Sequence, residues 1–293
     1  MPVYLEIQDL NRDFHATKNP IIVNDLASRT EEDRDYFNEL VNQTFTNDII
    51  SMLPSCKCGE TKGEDRVGDI CDECEHPVRQ TLENDIAPSV WFRKPEGIES
   101  LVSPIVWILL SKRFKKGKFL VMNWLTDRNY RSPTVKIPEI VTKMEYDGIP
   151  RGWNNFINHF DEILEYLFAQ SSFKIQQKQV SMVLDMLGIT HPSKDPLQQL
   201  IQDNRDKIFC DYIPMLNRTM LVVEKNVMGI FADNTIFDIK DVLNTMLSID
   251  QDFYDKSSLV IENRTAKIQA MLGEYYYKYF HNNLSPKEGT LRK

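Results

Sequence analysis

The chain has 293 residues, 42% of them hydrophobic and 27% charged, with a formal net charge of -8 at pH 7. This composition is that of a globular protein, and the length predicts two or three lobes. The most apolar run, residues 105–110, is too short to span a bilayer, so the sequence predicts no membrane segment. The negative charge excludes attraction of nucleic acid to the whole surface, but it leaves room for a local basic patch or for basic partner subunits.

The five cysteines indicate metal or redox chemistry before disulfides. The first twenty residues contain Asp9, Arg12 and Asp13 and lack the apolar core of a secretory signal, so we expect a cytoplasmic protein. Four of the cysteines lie within nineteen residues of one another. Cys210 stands alone, and we expect it to be buried.

In chain order, the first predicted element is a helix over residues 31–53. Its apolar residues recur at roughly helical spacing: Phe37, Leu40, Val41, Phe45 and Ile49. After the cysteine segment, residues 87–110 hold two tryptophan-containing apolar stretches broken by prolines, a pattern typical of short helices or strands. We interpret Trp91 and Trp107 as core residues.

The densest basic cluster of the chain is Lys-Arg-Phe-Lys-Lys-Gly-Lys at residues 112–118. It is a candidate for contact with phosphate groups, and a solvated surface loop explains it at least as well. Residues 153–187 then predict helices with one apolar stripe, which we assign to the core: Phe156, Phe160, Ile163, Leu164, Leu167 and Phe168.

Residues 211–233 predict short extended segments around Gly229, as in a protruding loop or hairpin. Beyond them, two apolar runs have heptad spacing: Ile239, Val242, Met246, Ile249 and Phe253, then Ile261, Thr265, Ile268, Leu272, Tyr275 and Tyr279. A polar break at residues 255–258 separates the runs, so they predict an antiparallel two-helix coiled coil. An ordinary helical hairpin fits the same spacing equally well.

The clustered cysteines form two close pairs, Cys56 with Cys58 and Cys71 with Cys74, separated by twelve residues. Two such pairs suit one zinc ion with four thiolate ligands, and a site with no position open for water is structural. In so short a segment the metal replaces a hydrophobic core, so its binding energy is folding energy for the module. The alternatives are four unrelated thiols or a redox pair at Cys71 and Cys74. His76 is a spare ligand that four cysteines make redundant.

No catalytic constellation is evident from the residues. The five histidines are scattered, and neither a nucleophile motif, a P-loop nor GxGxxG occurs. The acidic residues Asp250, Asp252 and Asp255 suggest a carboxylate cage for Mg²⁺, but their position between two predicted helices favours a solvated tip. The residues alone therefore predict a binding or structural component, with no catalytic residue, rather than a complete enzyme.

Residues 56–110 resemble the N-terminal part of β′, the largest subunit of multisubunit DNA-dependent RNA polymerases. The shared features are C-x-C-G, twelve residues with a late glycine, C-x-x-C, a following valine and a Trp-Phe dipeptide. In this chain they are Cys56, Cys58, Gly59, Gly68, Cys71, Cys74, Val78, Trp91 and Phe92.

The resemblance resumes downstream in the same order. Residues 211–216 resemble the approach to the lid, the loop that separates transcript from template, and residues 229–233 resemble its exit. Residues 237–280 are similar to the clamp coiled coil that docks a promoter-specificity factor. Residues 287–292 resemble the start of switch 2, a basic hinge beside the template strand.

The resemblance implies roles for individual residues. It implies nucleic-acid contacts by switch 2 and by the lid, which would wedge against the upstream end of the hybrid: Lys287, Arg292, Lys293, Val222, Val223, Lys225 and Met228. It implies that the specificity factor docks on the second helix at Asn263, Arg264 and Lys267.

The implied fold class is α+β and mainly α-helical: a multi-lobed clamp fragment with a small zinc ribbon, a lid hairpin loop and an antiparallel helical coiled coil. The implied segments are an N-terminal clamp segment (1–50), the zinc ribbon (51–80), a helical clamp core (81–210), the lid region (211–236), the coiled coil (237–282) and the start of switch 2 (283–293).

The chain also departs from the family. Glu75 replaces the usual glycine after the fourth cysteine, the rudder loop is almost absent between His281 and Ser285, and the coiled-coil tip is short. The sequence stops before the D-x-D-x-D loop that binds the catalytic Mg²⁺, as in the split β′ subunits of giant bacteriophages.

We therefore expect part of a β′ subunit in the cytoplasm of an infected bacterium, with structural Zn²⁺ on this chain and Mg²⁺ on another. Its partners would be the other polymerase subunits, a promoter-specificity factor, template DNA and the RNA transcript. The alternative is a free-standing zinc-ribbon transcription regulator or adaptor that binds nucleic acid or a host polymerase.

Overall fold

The computed structural model describes the following ranges: residues 7–26, 30–41, 43–46, 53–79, 90–133, 137–170, 173, 195–215, 222–226, 229–232, 234–250 and 257–280. Within them the fold is α+β, because helices predominate and the strands form four small sheets.

The helices of these ranges are numbered in chain order: α1 (Leu10–Ala16), α2 (Glu31–Val41), α3 (Pro104–Arg113), α4 (Val121–Thr126), α5 (Glu139–Tyr146), α6 (Trp153–Asn158), α7 (Phe160–Ala169), α8 (Pro196–Asp203), α9 (Asn234–Asp250) and α10 (Ser258–Phe280). None of these helices has the length and the apolar character needed to cross a membrane.

Local chemistry sets the starts of several helices. The Asp9 side chain accepts a hydrogen bond from the Arg12 backbone N–H at 3.0 Å and so caps α1. The Asp195 side chain likewise accepts from the Leu197 N–H at 3.1 Å at the start of α8. The next residue, Pro196, has no N–H group, and the first turn of a helix leaves such groups without a partner in any case.

The strands are β1 (Ile21–Ile22), β2 (Gln43–Thr46), β3 (Val90–Arg93), β4 (Leu101–Val102), β5 (Lys115–Lys116), β6 (Phe119–Leu120), β7 (Phe209–Cys210), β8 (Tyr212–Pro214), β9 (Val222–Asn226) and β10 (Gly229–Ala232). β3 lies between β1, which is parallel to it, and β8, which is antiparallel. β9 lies between the antiparallel β10 and the parallel β2. β4 pairs with β7, and β5 with β6, both antiparallel.

Helix α10 lies in the main hydrophobic core and packs against α3, α4, α6 and α9. Gly273 allows the close approach of α10 to α3, because a Cβ atom at Gly273 would lie 2.5 Å from Cδ1 of Trp107. Trp107 in turn lies beside Trp153, with ring centroids 5.7 Å apart. The Trp153 indole N–H donates to the Ser100 carbonyl at 2.8 Å, so this large buried side chain has its one polar group satisfied.

Several predictions from the sequence are confirmed. Trp91, Trp107 and Cys210 are buried. The extended segments around Gly229 form the hairpin of β9 and β10. The helices predicted from residue 153 onward are α6 and α7, while residues 174–187 of that prediction lie outside the described ranges.

The helix predicted over residues 31–53 is wrong at residues 43–46, since α2 ends at Val41, and residues 47–52 of that prediction lie outside the described ranges. Gln43–Thr46 forms β2 and pairs with β9, with Phe45 opposite Glu224. Two threonines around a phenylalanine favour a strand, and pairing with a distant strand overrides the helical spacing of the apolar residues.

The heptad runs lie in helices α9 and α10, which pack against each other, except that Phe253 of the first run lies outside the described ranges. The connecting residues 251–256 lie outside the described ranges. Two antiparallel helices in a coiled coil therefore stay a prediction.

Candidate metal centre

The first cysteine pair lies in a tight knuckle. The carbonyl of Cys56 accepts a hydrogen bond from the Gly59 N–H at 3.0 Å, and Gly59 has a φ of 75°, a left-handed conformation that favours glycine. The chain then turns back, so that the Cys56 N–H donates to the Thr61 carbonyl at 3.0 Å and the Thr61 N–H donates to the Cys56 Sγ at 3.3 Å. Both thiols of the pair therefore project from one short loop.

The second pair has the same design. The carbonyl of Cys71 accepts from the Glu75 N–H at 2.9 Å, and the Cys71 N–H donates to the His76 carbonyl at 3.1 Å. Glu75 follows Cys74 as Gly59 follows Cys58, and Glu75 too has a positive φ, 54°. The residue that departs from the polymerase pattern thus keeps the backbone conformation for which glycine is favoured.

A few backbone hydrogen bonds join the two knuckles. Ser55 and Arg79 exchange hydrogen bonds at 3.0 and 3.1 Å, and Val78 donates to Asp69 at 2.8 Å while accepting from Gly68 at 3.0 Å. The hydrophobic cluster of this module holds little besides Val78, which is 1% exposed and packs with the cysteines. So small an apolar core gives little stability, and the thiols occupy the position of the missing core.

The four thiol sulfurs of Cys56, Cys58, Cys71 and Cys74 all lie within 4.8 Å of one another. The Sγ atoms of Cys56 and Cys58 are 3.3 Å apart, and those of Cys58 and Cys71 are 3.7 Å apart. A tetrahedral ion with metal–sulfur bonds of about 2.3 Å places its sulfurs about 3.8 Å apart. The four thiols are free of disulfide bonds, and their arrangement fits one metal ion.

The neighbouring sulfurs and nearby hydrogen bonds shift the pKa values of the thiols in opposite directions. A hydrogen bond from the Thr61 side chain, with a further one from the Cys74 backbone, lowers the pKa of Cys71 to about 6. A backbone hydrogen bond from Glu60 favours the thiolate of Cys58, but the neighbouring sulfurs of Cys56 and Cys74 outweigh it and raise the pKa of Cys58 to about 12. The crowded sulfurs therefore do not all ionise by themselves, and a cation bound among them would favour the thiolate form of all four.

His76 does not belong to the cluster that fits an ion. Its Nδ1 lies in hydrogen-bonding contact with the Cys74 carbonyl. The sequence reasoning missed Thr61, whose backbone and side chain both support the thiol cluster. Thr61 and His76 hold matching positions, each five residues after the first cysteine of its pair, and the carbonyl of each accepts the N–H of that cysteine.

The structure also places several of the predicted contact residues. Val222, Val223 and Lys225 lie on β9, the middle strand of its sheet. Met228, Lys287, Arg292 and Lys293 lie outside the described ranges, as do Asp252 and Asp255 of the acidic cluster.

The three residues predicted to dock a specificity factor lie on α10 and differ in exposure. Asn263 is 9% exposed, and its Oδ1 accepts a hydrogen bond from the Arg128 N–H at 3.2 Å. Arg264 is half-buried, whereas Lys267 is exposed.

No protein-family model matches the chain, and no curated protein matches its sequence significantly.

Proposed function

We propose that this chain is the N-terminal part of the β′ subunit of a phage-type DNA-directed RNA polymerase, and that its four cysteines hold structural zinc. The observation that carries the proposal is the thiol cluster, because the cysteines of a C-x-C-G and C-x-x-C pattern converge on one point. Val78, the valine that follows in the polymerase pattern, packs against them, and both residues of the Trp-Phe dipeptide are buried in β3.

The ion would complete the ribbon and take no part in chemistry. Four sulfur ligands fill a tetrahedral zinc shell, so no position stays open for water or substrate. The residues of this chain that hold it are Cys56, Cys58, Cys71 and Cys74, and Thr61 supports two of them.

The hairpin of β9 and β10 supports the assignment of the lid. β9 and β10 are antiparallel neighbours, in register from Val223 opposite Ala232 to Asn226 opposite Gly229, as expected for the two arms of a hairpin loop. In the proposed assembly this hairpin separates transcript from template, with Val222, Val223 and Lys225 on its first strand and Met228 following them in the sequence.

Helices α9 and α10 support the assignment of the clamp helices, since two long helices follow the hairpin and pack against each other. Arg264 and Lys267 would present cations to a specificity factor, and Asn263 would fix the position of the Arg128 backbone beside them.

In the proposed enzyme the reaction is nucleotidyl transfer assisted by two metal ions. The carboxylates that bind Mg²⁺ would belong to another chain, and this chain would position the template and the upstream end of the hybrid. Lys287, Arg292 and Lys293 would contribute positive charge beside the template phosphates.

The test is to express the chain with the products of the neighbouring coding sequences and to assay RNA synthesis on a preformed DNA–RNA scaffold. We expect this chain to copurify with a chain that carries D-x-D-x-D, and RNA synthesis to require both. Robust templated RNA synthesis by this chain alone would overturn the proposal that the catalytic carboxylates belong to another chain. Failure to associate with any such chain would instead support the zinc-ribbon adaptor.

A further inference from the structure

The basic residues 112–118 form the end of α3 and a small hairpin. Lys115 pairs with Leu120 and Lys116 with Phe119, which leaves Gly117 and Lys118 in the turn. Gly117 has a φ of 60°, as the first residue of a two-residue hairpin turn requires.

Two buried aromatic residues anchor this hairpin to the main core. Phe114 is 0% and Phe119 2% exposed, and each packs edge-on against other rings, Phe119 against Tyr130 with ring centroids 5.4 Å apart. The Leu120 N–H donates to the Tyr130 hydroxyl at 3.1 Å. The hairpin is therefore held to the core by Phe114 and Phe119, and neither side chain is exposed to solvent.

The cations of the cluster fall into two groups. Arg113 forms an ion pair with Asp195 at 2.7 Å, and the Lys116 ammonium lies 4.6 Å from the centre of the Phe173 ring. Lys112, Lys115 and Lys118 are exposed and belong to none of the ion pairs within the described ranges. We call these three residues the lysine patch.

Packing against an aromatic ring orients one residue of the lysine patch. The Lys112 ammonium lies 3.7 Å from the centre of the Tyr277 ring, so its position is fixed by packing while its charge stays accessible.

A groove of about 100 Å³ opens beside the patch between α3 and α10. Lys112 and Lys115 line it together with Asn123 and Ser111, whose hydroxyl is buried and has no hydrogen-bond partner within the described ranges. One carboxylate, that of Glu274, lies on the far helix of the groove. The groove thus combines two cations and the Asn123 amide with a lining that is otherwise largely apolar.

We propose that the lysine patch and the adjoining groove bind the phosphate backbone of a single-stranded nucleic acid. A chain with a net charge of -8 has no general attraction for polyanions, so three accessible ammonium groups on one anchored hairpin mark a local site. The proposal does not depend on the polymerase assignment, since it concerns residues to which that assignment gives no role.

A nucleic acid fits the patch better than an anionic membrane does. Binding at a membrane surface combines cations with exposed apolar side chains that enter the lipid. Here Phe114 and Phe119 are buried, and the hairpin presents ammonium groups without an apolar tip. The groove is also recessed between α3 and α10, where a single strand can enter and a flat lipid surface cannot.

The experiment measures fluorescence anisotropy of a labelled single-stranded DNA of about 20 nucleotides, titrated with the full chain in about 50 mM salt. The test variant combines Lys112→Gln, Lys115→Gln and Lys118→Gln. The control combines Lys18→Gln, Arg34→Gln and Arg79→Gln, which removes the same charge from exposed residues elsewhere. Thermal melts verify that both variants stay folded.

We expect the test variant to bind at least about tenfold more weakly than the unaltered chain, with the slope of log K against log salt reduced by about 2. The control variant should lose much less of its affinity for the DNA. Undetectable binding by the unaltered chain, or equal losses in the two variants, would overturn the proposal. So would patch-dependent binding to phosphatidylserine vesicles, or to polyglutamate, that equals the binding to DNA.

Discussion

The side-chain amide of Gln269 pairs with the backbone of Val102 on both sides. Its Nε2 donates to the Val102 carbonyl at 2.8 Å, and its Oε1 accepts from the Val102 N–H at 3.2 Å. Gln269 lies on α10 and is 0% exposed, so a glutamine takes the place of a neighbouring strand beside β4. Asn24 does the same for Arg93 of β3, at 2.8 and 3.0 Å. These amides satisfy backbone groups that would otherwise be buried without partners.

Replacement of Gln269 by Met should destabilise the fold by about 2 kcal/mol or more, because the N–H and the carbonyl of Val102 would lose their partners in a buried environment. Urea denaturation monitored by circular dichroism measures the loss. Lys267→Met on the exposed face of the same helix is the control and should change the free energy of unfolding by less than about 0.5 kcal/mol. Equal effects of the two substitutions would show that the amide contributes nothing specific.

Gly273→Ala tests the close approach of α10 to α3. Alanine raises intrinsic helix propensity by about 1 kcal/mol, but its Cβ would lie 2.5 Å from the Trp107 ring, and such overpacking costs about 1–3 kcal/mol. We expect net destabilisation. A gain in melting temperature would contradict the observed packing.

A double-mutant cycle sharpens that test. Trp107→Phe removes the ring edge that the new methyl group meets, so Gly273→Ala should cost less in that background than in the unaltered chain. Additive effects would mean that the two residues are not in contact.

The sequence was informative where structure depends on neighbours along the chain. Cysteine spacing predicted the thiol cluster, and heptad spacing predicted α9 and α10. It failed at residues 43–46, whose strand depends on pairing with β9, far away in the sequence.

The pairing of Gln269 with Val102 escaped prediction for the same reason. A buried glutamine on a helix carries no local signal of the strand whose backbone it contacts. The nucleic-acid and partner contacts depend on other molecules, so they stay predictions.

Because Glu75 has a positive φ, its replacement by glycine should relieve backbone strain in the second knuckle. A side chain in the left-handed region costs about 1–2 kcal/mol, and glycine's greater freedom in the unfolded chain offsets part of this. Glu75→Gly should therefore leave metal affinity unchanged or raise it slightly, as measured by competition with a chromophoric chelator. Gly59→Ala, at the matching position of the first knuckle, should lower the affinity. A lower metal affinity of the Glu75→Gly variant, or an unchanged affinity of the Gly59→Ala variant, would exclude matching roles for the two positions.

Removal of the metal tests the candidate centre itself. We expect one zinc ion for each chain by elemental analysis. A Cys71→Ser variant should lose it, because a serine hydroxyl cannot replace the thiolate that binds zinc. Cys210→Ala is the matched control: it removes a buried thiol outside the cluster and should keep the zinc even if the fold becomes less stable.

Chelation should unfold the ribbon alone. Its backbone pairs are few, and Val78 is almost its whole apolar core, whereas the main core contains none of the four ligands. Hydrogen exchange should therefore rise over residues 55–79 after treatment with a chelator and stay unchanged in α10. Protection of Cys71 and Val78 amides that persists without metal would show that the ribbon folds without an ion, and that the thiol cluster is not its structural core.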